Sequence, residues 1–551
     1  MPVSERLTEY GREWMMVPAL FLLLMARACA FGFRYYPQLD DYIQYHNFPS
    51  GGSLLRLHQS EGVLSSRPLA GVADFYIWGP MFGHLILGVA LISLFLALTA
   101  VLLKRQLGRY FEIGPVFLVV LTLLPLGVEG TYWMSASTRV VCGLLTAALA
   151  AQAFLKWMDT GRRRWAGIYV VLQLLPWGFY EQSGVFSITL VVGIGILEIL
   201  RNRDRLGRAL LSLWGVPAMG LYFALTKVLA TGGVYSSRAE LVLPISRYWW
   251  TTFLPEVLGQ MRAVFLDGLS LTLGKGFIRG VRLVLSGQLA LWGGWVVLLA
   301  VLLWRLAPRS WGEGRKMSPW LTVLAGVLLF LAPLSIFFVL GNPWFSFRGA
   351  VTSFVGLALV VDTAVLALWK RLPLQGNGPA VLAALAALVF CMAGASEVGD
   401  YRDTWRNDQQ IGQLVVDTLR TDFPGGQSGR VGILRLEPSY LPEQNFIYHE
   451  HIHGCTESAW SFQGLLTSLD TSRPWDVWPL PAWPIYRPWN SEANNPENFD
   501  ILYYFDGEGL ERVALAQKGG NLLVVDEAGD EIGRVWEEPD GLGYFQAENG
   551  R

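Results

Sequence analysis

The sequence has few charged residues and few cysteines for a chain of 551 residues. Charged residues make up 16% of it, against about 25% in a typical soluble protein, and hydrophobic residues make up 52%. Four cysteines are too few for the disulfide framework of a small secreted protein. The sequence also lacks a Walker A motif, a glycine-rich dinucleotide fingerprint and an H-E-x-x-H motif. These absences exclude an ordinary soluble fold and argue against ATP-driven, dinucleotide-dependent or zincin chemistry.

Long apolar runs dominate the sequence instead. Crossing roughly 30 Å of hydrocarbon takes about 20 apolar residues in a helix. The runs predict a polytopic α-helical membrane protein with about eleven transmembrane helices, the first of them an uncleaved signal anchor. Segment 253–283 fits a span poorly and is predicted to hold an interfacial or re-entrant helix. The predicted spans are 15–33, 80–103, 113–128, 138–155, 165–179, 183–200, 209–230, 284–304, 319–341, 349–369 and 378–395.

The distribution of Lys and Arg predicts how the chain is oriented. With the N-terminus inside, the predicted inner segments hold 19 Lys and Arg in 52 residues, and the outer segments hold 11 in 121. Eleven spans then place the C-terminus outside. We therefore expect an inner (cytoplasmic) membrane protein, N-in and C-out, with large outer loops at 34–79 and 231–283. Topology accounts for the positive charge of the membrane part, which requires no nucleic acid.

Residues 396–551 have the composition of a separate domain, with 26 acidic and 11 basic residues. Segment 404–419 predicts a helix, and the Pro- and Trp-rich stretch 474–489 predicts irregular structure. The apolar runs that predict short buried strands are 431–436, 500–505 and 521–525. The chain is therefore divided into a transmembrane domain, 1–395, and a small extracytoplasmic α/β domain, 396–551.

An acidic pair, Asp40 and Asp41, follows the first predicted span by seven residues. A carboxylate at the level of the outer headgroups can act as a general base on a hydroxyl group. It can also ligate a divalent cation that neutralises a phosphate. A solvated pair in a loop is the third interpretation, and the local sequence leaves all three open.

Several features together resemble the GT-C superfamily of integral-membrane glycosyltransferases, which use lipid-phosphate-linked sugars. They are an acidic pair after the first span, a long first outer loop, many spans and an outer C-terminal domain. The resemblance covers roughly residues 10–400, and its shared motif matches Asp40-Asp41. Phrases similar to bacterial members are Ser65-Ser66-Arg67-Pro68-Leu69, Glu129-Gly130-Thr131-Tyr132-Trp133 and Phe179-Tyr180-Glu181-Gln182.

The resemblance implies an inverting transfer in which Asp40 or Asp41 activates the acceptor hydroxyl and a polyprenyl phosphate leaves. The leaving phosphate needs fixed positive charge. The outward-facing basic candidates are Arg67, Arg139, Lys227, Arg247 and Arg348. The candidates for binding sugar or acceptor are Glu129, Glu181, Trp133, Tyr180 and Trp249. For the two glutamates the alternatives are orienting an arginine or capping a turn, and for the aromatic residues the alternative is membrane-interface anchoring.

The alternating residues His449, His451, His453 and Cys455 are zinc ligands by type. Straight i, i+2 spacing places strand side chains roughly 7 Å apart, whereas ligands of one zinc ion lie about 3.5–4 Å apart. We therefore predict a polar loop in preference to a metal site. The cofactor left open is a divalent cation, Mg²⁺ or Mn²⁺.

The predicted function is transfer of a sugar from a polyprenyl-phosphate donor to a glycan, lipid or protein acceptor on the outer face of the membrane. One alternative is an oligosaccharide polymerase or ligase of envelope assembly, which would depend on arginines more than on an acidic pair. The other is a flippase or transporter of lipid-linked sugars, although such proteins usually carry ionisable residues at the membrane midplane.

Overall fold

The computed structural model describes residues 3–48, 52–233, 242–307, 316–340, 345–372, 377–426, 429–436, 454–480, 495–537 and 543–547. Contacts divide the chain into two compact units. The helical unit comprises Met1–Tyr35 and Gly51–Gly399, and the C-terminal unit comprises Tyr36–Ser50 and Asp400–Arg551. The short segment that carries the acidic pair therefore belongs to the C-terminal unit.

Helices account for most of the described residues. In chain order they are α1 Val3–Ala28, α2 Asp40–Tyr42, α3 Leu54–Glu61, α4 Pro68–Ala73, α5 Leu85–Leu107, α6 Val116–Leu123, α7 Val128–Tyr132, α8 Met134–Thr160, α9 Arg163–Leu172, α10 Leu175–Phe179, α11 Glu181–Arg201, α12 Leu206–Ala209, α13 Gly215–Val228, α14 Leu254–Arg262, α15 Leu269–Leu271, α16 Phe277–Leu285, α17 Ala290–Leu306, α18 Pro319–Leu334, α19 Phe347–Ala350, α20 Phe354–Arg371, α21 Gly378–Asp422 and α22 Ala459–Leu469.

Seven helical segments are long and apolar enough to cross a membrane, judged by length and composition within the described residues. They coincide with seven of the eleven predicted spans, and the chain is thereby a multi-pass membrane protein. These segments are Pro68–Leu107, Met134–Thr160, Glu181–Arg201, Arg203–Val228, Pro319–Phe338, Phe347–Arg371 and Gly378–Asp422.

The other four predicted spans take different forms. Residues 284–304 fall in a bent pair, Trp249–Leu285 and Ala290–Leu306, which meet at 116° and raise the count to eight if they form one span. The predicted span 113–128 contains only the eight-residue helix α6, and 165–179 contains the short helices α9 and α10. Pro125 begins a short 3-10 helix there, and Pro176 is the second residue of α10, because proline lacks the N–H that would continue the preceding helix. The first predicted span falls in α1 and extends past its end at Ala28.

The C-terminal unit contains a seven-stranded mixed sheet in the order β2-β1-β3-β4-β5-β6-β7. Strands β2, β1 and β3 are parallel, and the remaining neighbours are antiparallel. Helix α22 lies in the crossover between β1 and β2, as a parallel pair requires. The strands are β1 Val431–Leu434, β2 Val477–Leu480, β3 Ile501–Phe505, β4 Leu510–Lys518, β5 Asn521–Val525, β6 Glu531–Glu537 and β7 Gly543–Ala547.

Three strands and one helix of this unit were predictable, and one prediction was wrong. Strands β1, β3 and β5 lie in the three apolar runs, and the predicted helix 404–419 lies within α21. However, β2 lies inside the stretch 474–489 that was expected to be irregular, of which 481–489 falls outside the described residues. Pro479 is tolerated in β2 because this is an edge strand, where a missing N–H leaves no neighbouring strand unpaired.

Candidate functional site

Three arginines predicted as phosphate ligands each have a buried carboxylate partner in the helical unit. Arg67 Nε donates to both carboxylate oxygens of Glu181, at 3.0 and 3.2 Å. Arg139 Nη2 donates to Asp74 Oδ2 at 2.6 Å. A carboxylate thereby fixes the orientation of each of these arginines. The same arrangement occurs in structural ion pairs and in ligand-binding sites.

The third pair joins residues 219 positions apart. Glu129 Oε2 accepts the backbone N–H of Arg348 at 2.9 Å, and Glu129 Oε1 lies 3.8 Å from Arg348 Nε. The guanidinium group of Arg348 also lies 5.4 Å from the ring centre of Trp133, within cation–π range. Glu129 therefore holds both the backbone and the side chain at the start of α19.

Tyr180 lies at the centre of these contacts. The guanidinium group of Arg67 is 4.6 Å from the centre of its ring. Its hydroxyl interacts electrostatically with Arg67, Arg348, Glu181 and Glu129. Tyr180 is an extended residue immediately before α11, and Glu181 occupies the first turn, where a helix favours negative charge. We call Arg67, Arg348, Glu129, Glu181, Trp133 and Tyr180 the arginine cluster.

The exposure of these side chains distinguishes the cluster from a fully enclosed set of ion pairs. The side chains of Glu181 and Glu129 are 4% and 1% exposed, whereas those of Arg67 and Arg348 are 20% and 28% exposed. Within the described part of the chain, the terminal amino groups of Arg67 and Arg348 make no hydrogen bond. The buried carboxylates thus orient the two arginines, and the terminal N–H groups of the arginines remain available to bind an anion.

An apolar groove of about 170 Å³ adjoins the cluster. Tyr222 of α13 links the two, because its ring lines the groove while its hydroxyl shares one proton between two acceptors, Glu181 Oε1 at 2.9 Å and the Ser66 carbonyl oxygen at 2.5 Å. The other lining residues are almost all apolar and include Leu69, Leu174, Trp177, Leu221 and Leu225.

The remaining predicted ligands of the helical unit lie apart from this cluster. Lys227 and Arg247 are exposed, and within the described residues no contact joins either to the cluster. Trp249 is buried and donates its indole N–H to the carbonyl of Phe338 at 2.8 Å, as a packing residue does.

The acidic pair forms the short helix α2 in the C-terminal unit. Asp41 is fully buried, and its Oδ2 accepts the backbone N–H of Gln38 at 2.9 Å. Asp40 is only half-buried. The two carboxylates therefore differ in their access to solvent, which the sequence could not show.

The predicted His/Cys alternation is described only at Cys455, because His449, His451 and His453 lie outside the described residues. Burial raises the pKa of the Cys455 thiol well above its usual range. Among the described residues, no group of three or more His, Cys, Asp and Glu is placed to hold a metal ion.

Asp74 and Tyr222 were missed by the sequence interpretation. Tyr222 gives a weak signal, as a phenol in the middle of the largely apolar helix α13, and Asp74 gives another, as a lone acid beside the aromatic run Phe75-Tyr76. No protein-family model matches the chain, and no curated protein matches its sequence.

Proposed function

We propose that this protein is an integral-membrane glycosyltransferase that moves a sugar from a polyprenyl-phosphate donor to a glycan, lipid or protein acceptor. The observation that carries the proposal is the arginine cluster, with two partly exposed guanidinium groups held by buried glutamates beside an apolar groove. An anionic head on a hydrocarbon chain matches both features. The resemblance of the acidic pair to the GT-C motif supplies the reaction class.

In the proposed reaction, the acceptor oxygen forms a bond to the anomeric carbon as the bond from that carbon to the phosphate oxygen breaks. One aspartate of the acidic pair takes the acceptor proton, and the phosphate leaves with the electron pair. Half-buried Asp40 suits the base, while buried Asp41 holds the turn. Arg67 and Arg348 stabilise the leaving phosphate, a role for which loss of one donor typically costs about 10²–10³ in rate.

The direction of the spans supports an outward-facing site. The spans Pro68–Leu107, Met134–Thr160, Glu181–Arg201 and Phe347–Arg371 all begin beside cluster residues and end within two residues of a basic residue. Basic ends face the cytoplasm under the positive-inside rule. We accordingly propose an inner-membrane protein with eleven spans, N-in and C-out. Impermeant thiol labelling of single cysteines placed at 162 and 507 tests this, and protection at 162 with labelling at 507 is expected.

An oligosaccharide polymerase or ligase is the second candidate. The observation that favours it is that the arginine cluster lies wholly within the helical unit, whereas the acidic pair belongs to the C-terminal unit. Such an enzyme would need the arginines but tolerate loss of the acidic pair.

Sugar transfer in membrane vesicles from a labelled polyprenyl-phosphate donor separates these candidates. Wild type is compared at matched expression with Asp40→Asn/Asp41→Asn, with Arg67→Gln/Arg348→Gln, and with the exposed control Arg162→Gln/Arg163→Gln. Loss of product in the first two variants supports the glycosyltransferase, and loss only in the second supports the polymerase or ligase. Full activity in both, or substrate flux without a covalent product, contradicts both enzymes and favours a transporter.

A further inference from the structure

A strained residue immediately precedes the acidic pair. Leu39 has φ of 30°, a conformation that a residue with a branched side chain rarely adopts. Such strain persists only where the surrounding structure fixes it, and it concentrates at functional sites. The contacts that fix Leu39 therefore also determine where Asp40 and Asp41 lie.

Helix α22 of the C-terminal unit makes the first of these contacts. Ser461 Oγ donates to the carbonyl oxygen of Leu39 at 2.8 Å. One residue earlier, the Trp460 carbonyl accepts from Asn47 Nδ2 at 2.6 Å. The N-terminal turn of α22 thus holds the peptide segment on both sides of the acidic pair.

Gly464, one turn along α22, allows the close approach. A Cβ atom there would lie 2.9 Å from the carbonyl oxygen of Tyr42 and 3.1 Å from Asn47 Oδ1. Any side chain would push away the residue that follows Asp41. The absence of a side chain at 464 is therefore required for the observed position of the pair.

The distal part of α21 holds the same segment from another direction. Gln38 Nε2 donates to the Tyr401 carbonyl at 2.9 Å, and Gln409 Nε2 donates to the Tyr42 hydroxyl at 3.2 Å. Four hydrogen bonds from two helices of the C-terminal unit therefore fix a stretch of ten residues, Gln38 to Asn47.

We infer that the C-terminal domain sets the reactive position of the acidic pair, with Ser461 and Gly464 as positioning residues. This inference rests on the proposed function in one respect, since it requires Asp40 or Asp41 to act on substrate. It makes the domain part of the catalytic apparatus, where the sequence indicated only an appended unit.

The kinetic test uses the full-length protein in membranes. Ser461→Ala is expected to lower kcat about fivefold, the effect of one lost hydrogen bond, with KM for the donor unchanged. Ser461→Thr keeps the hydroxyl and should restore activity. Ser468→Ala is the matched control, because among the described residues Ser468 Oγ bonds only within α22, to the Leu465 carbonyl. For the steric contact, Gly464→Ala is compared with Gly425→Ala, where an added Cβ would have no described residue within 4 Å.

A second readout does not depend on activity. The rate at which a thiol reagent modifies Asp40→Cys, above the background of the native cysteines, is compared with and without Ser461→Ala or Gly464→Ala. The inference is supported if either substitution makes modification several-fold faster while Ser468→Ala leaves its rate unchanged. Unchanged modification with both overturns it. Faster modification with undiminished kcat in Ser461→Ala upholds the placement but contradicts a catalytic role for the acidic pair, which refutes the proposed function instead.

Discussion

The ion pair between Arg67 and Glu181 should be strongly coupled in the free energy of unfolding. Arg67→Ala leaves the Glu181 carboxylate, 4% exposed, with Tyr222 as its remaining hydrogen-bond partner among the described residues, and this should cost about 3–5 kcal/mol. Glu181→Gln should cost less, about 2 kcal/mol, because the Arg67 side chain is 20% exposed and can reach water or headgroups.

The double variant should therefore be less destabilised than the sum of the single variants, by about 2 kcal/mol. Unfolding of the full-length protein in mixed micelles, followed by tryptophan fluorescence during SDS titration, measures each value. The surface pair of Arg109 and Asp159, whose side chains are 33% and 42% exposed, is the control, and its coupling should be about 1 kcal/mol or less.

Additive effects at Arg67 and Glu181 would refute the reasoning, because they would mean that the carboxylate does not hold the arginine. A coupling free energy no larger than that of Arg109 with Asp159 would likewise show that burial of the Glu181 carboxylate does not strengthen its ion pair.

Two further predictions concern packing and pH. In the same SDS titration, Gly184→Ala should destabilise the protein by about 1–3 kcal/mol, because its Cβ would lie 2.2 Å from the ring of Trp177. Gly193→Ala in the same helix should be neutral or stabilising, because its Cβ would have no atom of the described residues within 4 Å. The Arg420 guanidinium group holds the pKa of Asp470 well below its usual range, so the stabilisation is present above about pH 4 and is lost as pH falls through the lower, folded-state pKa. Asp470→Asn should flatten the acid limb of a pH titration followed by tryptophan fluorescence, and an unchanged acid limb would show that the pair is not formed.

Span positions were predictable because hydrocarbon thickness imposes a length and a composition that the sequence must show directly. Some features of the sheet also left local signals. Strands β4 and β5 are joined by Gly519-Gly520 with φ of 60° and 87°, a turn that the glycine pair indicates in the sequence. Strand β4 itself was missed because it is largely exposed, with Val513 its one buried residue, and so lacks an apolar alternation.

The candidate site was predictable as a set of residue types but not as a set of partners. Arg67 and Glu181 are 114 positions apart, and Arg348 and Glu129 are 219 positions apart. Only tertiary packing brings such residues together, so the sequence indicated that each glutamate orients an arginine or binds sugar, but not which arginine it would contact. The membership of the acidic pair in the C-terminal unit likewise depends on contacts more than 350 residues apart in the chain.

Binding of a polyprenyl phosphate to the purified protein in nanodiscs is the most direct measurement of the proposed phosphate site. Wild type, Arg67→Gln/Arg348→Gln and the control Arg162→Gln/Arg163→Gln are compared at one salt concentration. We predict saturable binding by wild type and the control, and at least a tenfold weaker affinity in the Arg67→Gln/Arg348→Gln variant. Equal affinity in all three would contradict the assignment of these arginines to the donor phosphate.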